Sequence, residues 1–267
     1  MNRLQPPSTV KVLCLVAVRT LAAARRQPSC LVVGILAVGL LGGARFFASF
    51  DFGENSAGFL IDFGLAVVFL SGSLVAVVLP AQLWIDEMNQ RCAVPVLSSP
   101  VRRETFFFGV FFGASAAVGL FLILMFLALG ILLSAWADGF GSAAWERLMG
   151  ACWLTLVRGF LIGALMALLG SFSRSFLFVV CVGAGFVFAG ELYPVAWALA
   201  DDTAYGATLL NPLLFMMPNL GLFGSGSGHI LGGAAPPVAA LELSLYGAAY
   251  AALYLCLGAW IFRSQAW

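Results

Sequence analysis

Apolar residues run along this chain in long windows rather than in the short alternations of a globular core. Six windows qualify as membrane spans at residues 31–50, 59–84, 106–136, 148–169, 176–199 and 238–262. Each is apolar on all sides, the pattern of a helix surrounded by lipid or by other helices. Residues 9–28 break the rule. In "TVKVLCLVAVRTLAAARR", Lys11, Arg19 and Arg26 recur near one helical stripe among Val12, Leu13, Val16 and Leu21. That spacing fits an amphipathic helix lying in the membrane interface with its basic side chains at lipid head groups. Its rival is a simple inward extension of the first span.

The polar stretches sort by sign. With the N-terminus in the cytoplasm, Arg3, Lys11, Arg19, Arg25, Arg26, Arg91, Arg102, Arg103, Arg174 and Arg263 all fall on the inner side. Arg45 and Arg147 fall near the outer face, with Asp51, Glu54, Asp138, Asp201 and Asp202. The positive-inside rule therefore places both termini in the cytoplasm. Composition agrees: among 267 residues, 62% are hydrophobic and only 9% charged, and the mean hydropathy is +1.03. The fold class expected is an all-α polytopic membrane protein, one transmembrane domain over residues 1–267. A cleavable signal peptide fits poorly, because arginines interrupt the early apolar residues and no small-residue cleavage site follows.

Chemistry-bearing residues are sparse. Cys14, Cys30, Cys92, Cys152, Cys181 and Cys256 form no CxxC pair and read as small buried hydrophobes. The sole histidine, His229, sits in the Gly/Ser/Pro tract from Gly224 to Pro237 and supports neither a triad nor a multi-histidine metal site. The sole lysine, Lys11, follows no glycine-rich loop, which excludes a P-loop within the chain. No catalytic residue, metal site or nucleic-acid partner is expected. The apolar part of the 200–237 loop, Thr208 to Phe223, is expected to dip back toward the membrane as short re-entrant helices.

Two ionisable residues fall inside spans, where they are costly and are commonly paired or functional. Arg158 lies about ten residues in from the outer start of its span, and Glu191 about eight from the outer end of the next, so at 1.5 Å per residue they share a depth. An intramembrane Arg158–Glu191 ion pair is expected, with a substrate or ion path as the alternative. Asp62 and Glu242 are placed to reach the interface from their span ends. Gly39/Gly43, Gly109/Gly113 and Gly159/Gly163 have the spacing that permits close helix approach.

The connection at 85–105 has a shape of its own. Glu87 can meet Arg91 across one helical turn, and Pro95 limits how far that helix runs. Ser99 and Pro100 then supply an N-cap and a first-turn proline for the next helix. Ala93, Val94, Val96 and Leu97 make an apolar ridge flanked by charge, suited to a groove on another protein; an ordinary basic loop is the plain alternative.

This segment, with "DFGLAVVFLSGSLVAVVLPAQLWIDEMNQRCAVPVLSSPVRRETFFFGVFFG" around it, resembles the membrane subunits of type-2 ABC exporters. In that family a glutamate, a basic residue and then P-V-L-x-x-P-x-x-R-x-x-x-x-x-G join the second and third spans. Glu87, Arg91, Pro95, Leu97, Pro100, Arg103 and Gly109 occupy comparable places, and "LYGAAYAALYLCLGAWIFRSQ" resembles the family's last span. Val110 and Cys92 depart from the pattern, where a basic residue and a threonine are usual. The resemblance implies six spans behind an N-terminal elbow helix, in a bacterial cytoplasmic membrane. It implies a homodimer or a pair with a related permease, on two separate ATPase subunits that bind ATP and magnesium. Residues 85–105 become the coupling segment. Two other classes compete: an ion-coupled carrier using Arg158 and Glu191, and an ABC-like scaffold that couples ATP hydrolysis to an envelope complex without transport.

Overall fold

A computed structural model describes residues 9–48, 56–89, 103–136, 142–195, 197, 217–224 and 237–264, and among them all regular structure is helical. The helices are α1 (Thr9–Ala24), α2 (Pro28–Ala48), α3 (Ser56–Asn89), α4 (Arg103–Trp136), α5 (Ser142–Phe172), α6 (Phe176–Glu191) and α7 (Pro237–Ser264). Stretches of four of them are long and apolar enough to cross a bilayer: Phe59–Met88, Arg103–Trp136, Trp145–Phe172 and Ala240–Ser264. The α1–α2 pair passes the same test only when taken together, across a 59° bend. The chain is thus a polytopic membrane protein, helical in its regular structure and with four such helices among the described residues, or five if the bent pair is one span.

The expected fifth span at 176–199 differs from the helix found. α6 has 16 residues, about 24 Å at 1.5 Å per residue, short of a hydrocarbon core of about 30 Å. The break is at Leu192, after which residues 193–195 are helical again. Pro194 among them has no N–H to give the carbonyl four residues back, that of Gly190. Leu192 leaves helical geometry, its N–H reaching Phe188 O at 3.1 Å. The orphaned Gly190 carbonyl accepts instead from the Leu220 N–H at 3.0 Å.

Small residues set how closely the long helices approach. Leu122 and Leu129 of α4 occupy the space that side chains at Gly72 and Gly64 of α3 would take, two turns apart on each antiparallel helix. Gly159 of α5 takes Leu122 from the other side, a Cβ there lying 3.0 Å from it. α1 docks on the Gly109/Gly113 face of α4. A Cβ at Gly109 would stand 2.8 Å from Val16 Cβ, and one at Gly113 only 2.6 Å from the Ala17 carbonyl oxygen. Gly39 and Gly43, by contrast, meet nothing within 4 Å. At the arginine-rich end, Trp84 of α3 packs edge-on to Phe107 of α4 at 5.1 Å and to Phe262 of α7 at 5.8 Å.

Candidate functional site

Two polar constellations interrupt the apolar bundle. The first is at the arginine-rich end, where α1 and α2 meet the last turns of α3. Glu87 is buried, and Arg19 approaches its Oε2 to 3.3 Å without hydrogen-bond alignment. Gln27 Nε2 donates to Asp86 Oδ2 at 2.8 Å, and Ser29 Oγ to Gln82 Oε1 at 2.6 Å. The elbow is therefore fastened to α3 by three polar contacts spaced along one face. Nearby, Arg263 of α7 reaches Glu104 of α4 at 3.5 Å. Arg103 opens α4 and is exposed. Arg91, Pro95, Leu97 and Pro100 lie outside the described residues, as do Cys92 and the apolar ridge beside it.

Arg19 is not simply part of a head-group stripe with Lys11 and Arg26, as the spacing suggests; it turns toward Glu87. A carboxylate leaving water at the end of a long apolar helix needs a cation, and Arg19 of α1 supplies one. Periodicity on α1 alone cannot reveal this partner, because it lies 68 positions away in the sequence.

The second constellation lies deep in the bundle. Arg158 is 5% exposed and lies at the middle of α5; Ser73, at the middle of α3, accepts a hydrogen bond from its Nη2 at 2.8 Å. Two long spans meeting at their midpoints put this contact near the centre of the hydrocarbon core. The same nitrogen pairs with Glu191 Oε1, and the guanidinium sits 5.2 Å from the centre of the Phe69 ring, within reach of a cation–π attraction. Arg158 Nε has no hydrogen-bond partner among the described residues. A cavity of about 10 Å³ beside it, lined by Ser73, Thr155 and Gly159 among others, is close to the one-water limit. In this conformation the site is a packed junction of α3, α5 and α6, without room for a cargo.

Glu191 is the last residue of α6, so the pair sits at a broken helix end. Carbonyls there carry partial negative charge, which adds to the carboxylate in attracting Arg158. Residues 217–224 return to this place. Asn219 N donates to Tyr246 Oη of α7 at 2.8 Å, and Phe223 is fully buried against Gly247. Non-helical backbone at such depth persists only where protein or a water-filled cavity satisfies it, and here Tyr246 and the Gly190 carbonyl do so. Tyr246→Phe removes the acceptor of the Asn219 amide. We expect faster hydrogen exchange at residues 217–224 and a stability loss of about 1 kcal/mol, the usual worth of one such bond.

Ser73, Phe69 and Tyr246 do not stand out in the sequence, since a single serine or aromatic in an apolar span gives no periodic signal. Asp62 and Glu242 are exposed at helix ends opposite the arginine-rich one. Cys14, Cys30, Cys152, Cys181 and Cys256 carry free thiols, and no group of three metal-ligating side chains occurs among the described residues. Compared with known proteins, the sequence matches no family model and no curated protein.

Proposed function

We propose that this chain is the permease subunit of a type-2 ABC exporter in a bacterial cytoplasmic membrane. In this reading it has six spans, α1 as its elbow and both termini inside. It pairs with a second copy or a related permease above two separate ATPase subunits, which hold the ATP and magnesium. Arg91, Pro95, Leu97, Pro100 and Arg103 form the surface that meets the ATPase, and Glu87, buried against Arg19, couples that surface to the elbow.

The observation that supports it is mechanical. α1 and the bend after it are fastened to the end of α3 by Arg19–Glu87 and Gln27–Asp86, and α1 to the start of α4 at Gly109 and Gly113. Those two helices bound residues 90–102, where the coupling pattern lies. A force on that connection moves α1, α3 and α4 together. Nucleotide-driven motion in a partner thereby becomes a tilt of half the bundle, with no catalytic residue needed in this chain.

The test is co-purification with an ATPase that carries Walker motifs and is encoded beside this chain. Glu87→Ala and Arg103→Ala should each weaken ATPase binding or turnover several-fold while the thermal midpoint of the permease stays within a few degrees. Wild-type binding and turnover in both variants refute the assignment. A second reading, an ion-coupled carrier, draws on the Arg158–Glu191 pair near mid-membrane. Proton- or sodium-driven flux in liposomes holding this chain alone, abolished by Glu191→Gln, favours that reading. A non-transporting scaffold predicts normal ATPase coupling with no cargo movement.

A further inference from the structure

An open groove of about 660 Å³ runs beside the elbow, between the end of α1, one face of α2 and α4. Its walls are apolar: Ile35 and Val38 from α2, Leu120 and Leu124 from α4. From the start of α2 at Pro28 to Val38 it rises about 15 Å at 1.5 Å per residue, half of a hydrocarbon core of about 30 Å. That is the depth of one leaflet. At its mouth, where the chain bends between α1 and α2, stands Arg25.

Arg25 is exposed, and its guanidinium takes part in none of the ion pairs among the described residues. Arg19 is committed to Glu87 and Gln27 to Asp86, while Arg26, also exposed, does not line the groove. A second groove of about 370 Å³, on the other side of α2 against α3, is just as apolar but has no charged residue in its lining. Only the first joins an acyl-chain-deep trough to an uncommitted cation at head-group level.

We infer that this groove binds an anionic phospholipid, with one acyl chain along Ile35, Val38 and Leu124 and its phosphate at Arg25. The attraction is the ordinary one between an interfacial arginine and an anionic head group. Holding the chain against α2 and α4 makes the lipid a filler at the elbow, where protein packing is open. The inference needs only that the chain spans a membrane, and it stands whether or not the exporter reading does.

Native mass spectrometry of the full-length protein, titrated with phosphatidylglycerol or with phosphatidylcholine of the same chains, tests it. One phosphatidylglycerol should stay bound at activation energies that strip phosphatidylcholine. Arg25→Gln should weaken phosphatidylglycerol retention about fivefold, the equivalent of roughly 1 kcal/mol. Gly34→Leu should fill the groove and remove the adduct, with circular dichroism confirming that the helices persist. Equal retention of the two lipids overturns the proposal, as does phosphatidylglycerol retention unchanged by Arg25→Gln. High-yield disulfide linkage of two copies through Ile35→Cys also overturns it, since a second subunit would then occupy the groove.

Discussion

Removing Glu191 is expected to destabilise the folded protein more than any other single polar substitution. Glu191→Leu leaves Arg158 in the middle of the bundle with Ser73 and the Phe69 ring as its remaining contacts. Breaking a buried ion pair costs about 3–5 kcal/mol. The lower end applies here, because the Glu191 side chain keeps 37% of its surface while that of Arg158 keeps 7%. Arg158→Leu alone should cost less, since the partly exposed carboxylate can be reached by water. The double variant should recover much of the loss, giving a coupling energy well above the roughly 0.5 kcal/mol of independent sites. Unfolding in mixed micelles with added denaturing detergent measures all four corners of this cycle. Additive losses would mean that the two residues meet without holding each other. Glu191→Gln, which keeps an acceptor but not the charge, should fall between wild type and Glu191→Leu.

The second large effect is expected at Gly113. A leucine there would drive its Cβ to 2.6 Å from the Ala17 carbonyl oxygen and 2.7 Å from Thr20 Cβ. The first obstacle is backbone, which cannot swing aside as a side chain can. Overpacking typically costs about 1–3 kcal/mol, and here the cheaper escape is for α1 to leave α4. Separation of α1 would also strain the Arg19–Glu87 and Gln27–Asp86 contacts. Hydrogen exchange should therefore rise over residues 9–27 and over the last turns of α3, with the rest of the bundle unchanged. Gly39→Leu is the control: nothing lies within 4 Å of its Cβ, so it should leave the pattern as in wild type. Protection of α1 that survives Gly113→Leu would show that the glycine contact does not set its position.

How far the sequence revealed this depended on the range of the interaction. Long apolar windows locate the helices because any 20 such residues must bury their backbone polar groups in a helix within lipid. The approach of Arg158 to Glu191 is legible from rise per residue alone, since consecutive antiparallel helices bring equal depths together. α6 was harder. Its break lies beside Pro194, which is visible, yet a proline inside α3 at Pro80 does not end that helix. What distinguishes them is the Leu220 N–H that caps Gly190, a contact made between residues 30 positions apart. Arg19 was misleading in the same way, since its spacing from Lys11 and Arg26 carries no trace of Glu87. The Gly109/Gly113 spacing signals a close approach but not which helix makes it, and three such pairs in one chain met three different surroundings.

The early end of α6 also constrains how the chain enters the bilayer in the first place. Sixteen residues from Phe176 to Glu191 are too few to cross alone, and α5 carries an arginine that costs about 2.5–3.5 kcal/mol at a helix centre during insertion. Each segment is a poor passenger separately. Inserted as a hairpin, they neutralise each other's charge, and α6 is held by α5 while the chain after Pro194 finds its place. The arginine and glutamate then act during biogenesis, before any partner is bound. In ribosome-bound chains stalled just after α5, a cysteine in α5 should stay reactive to a water-soluble maleimide, and it should become protected once α6 has emerged.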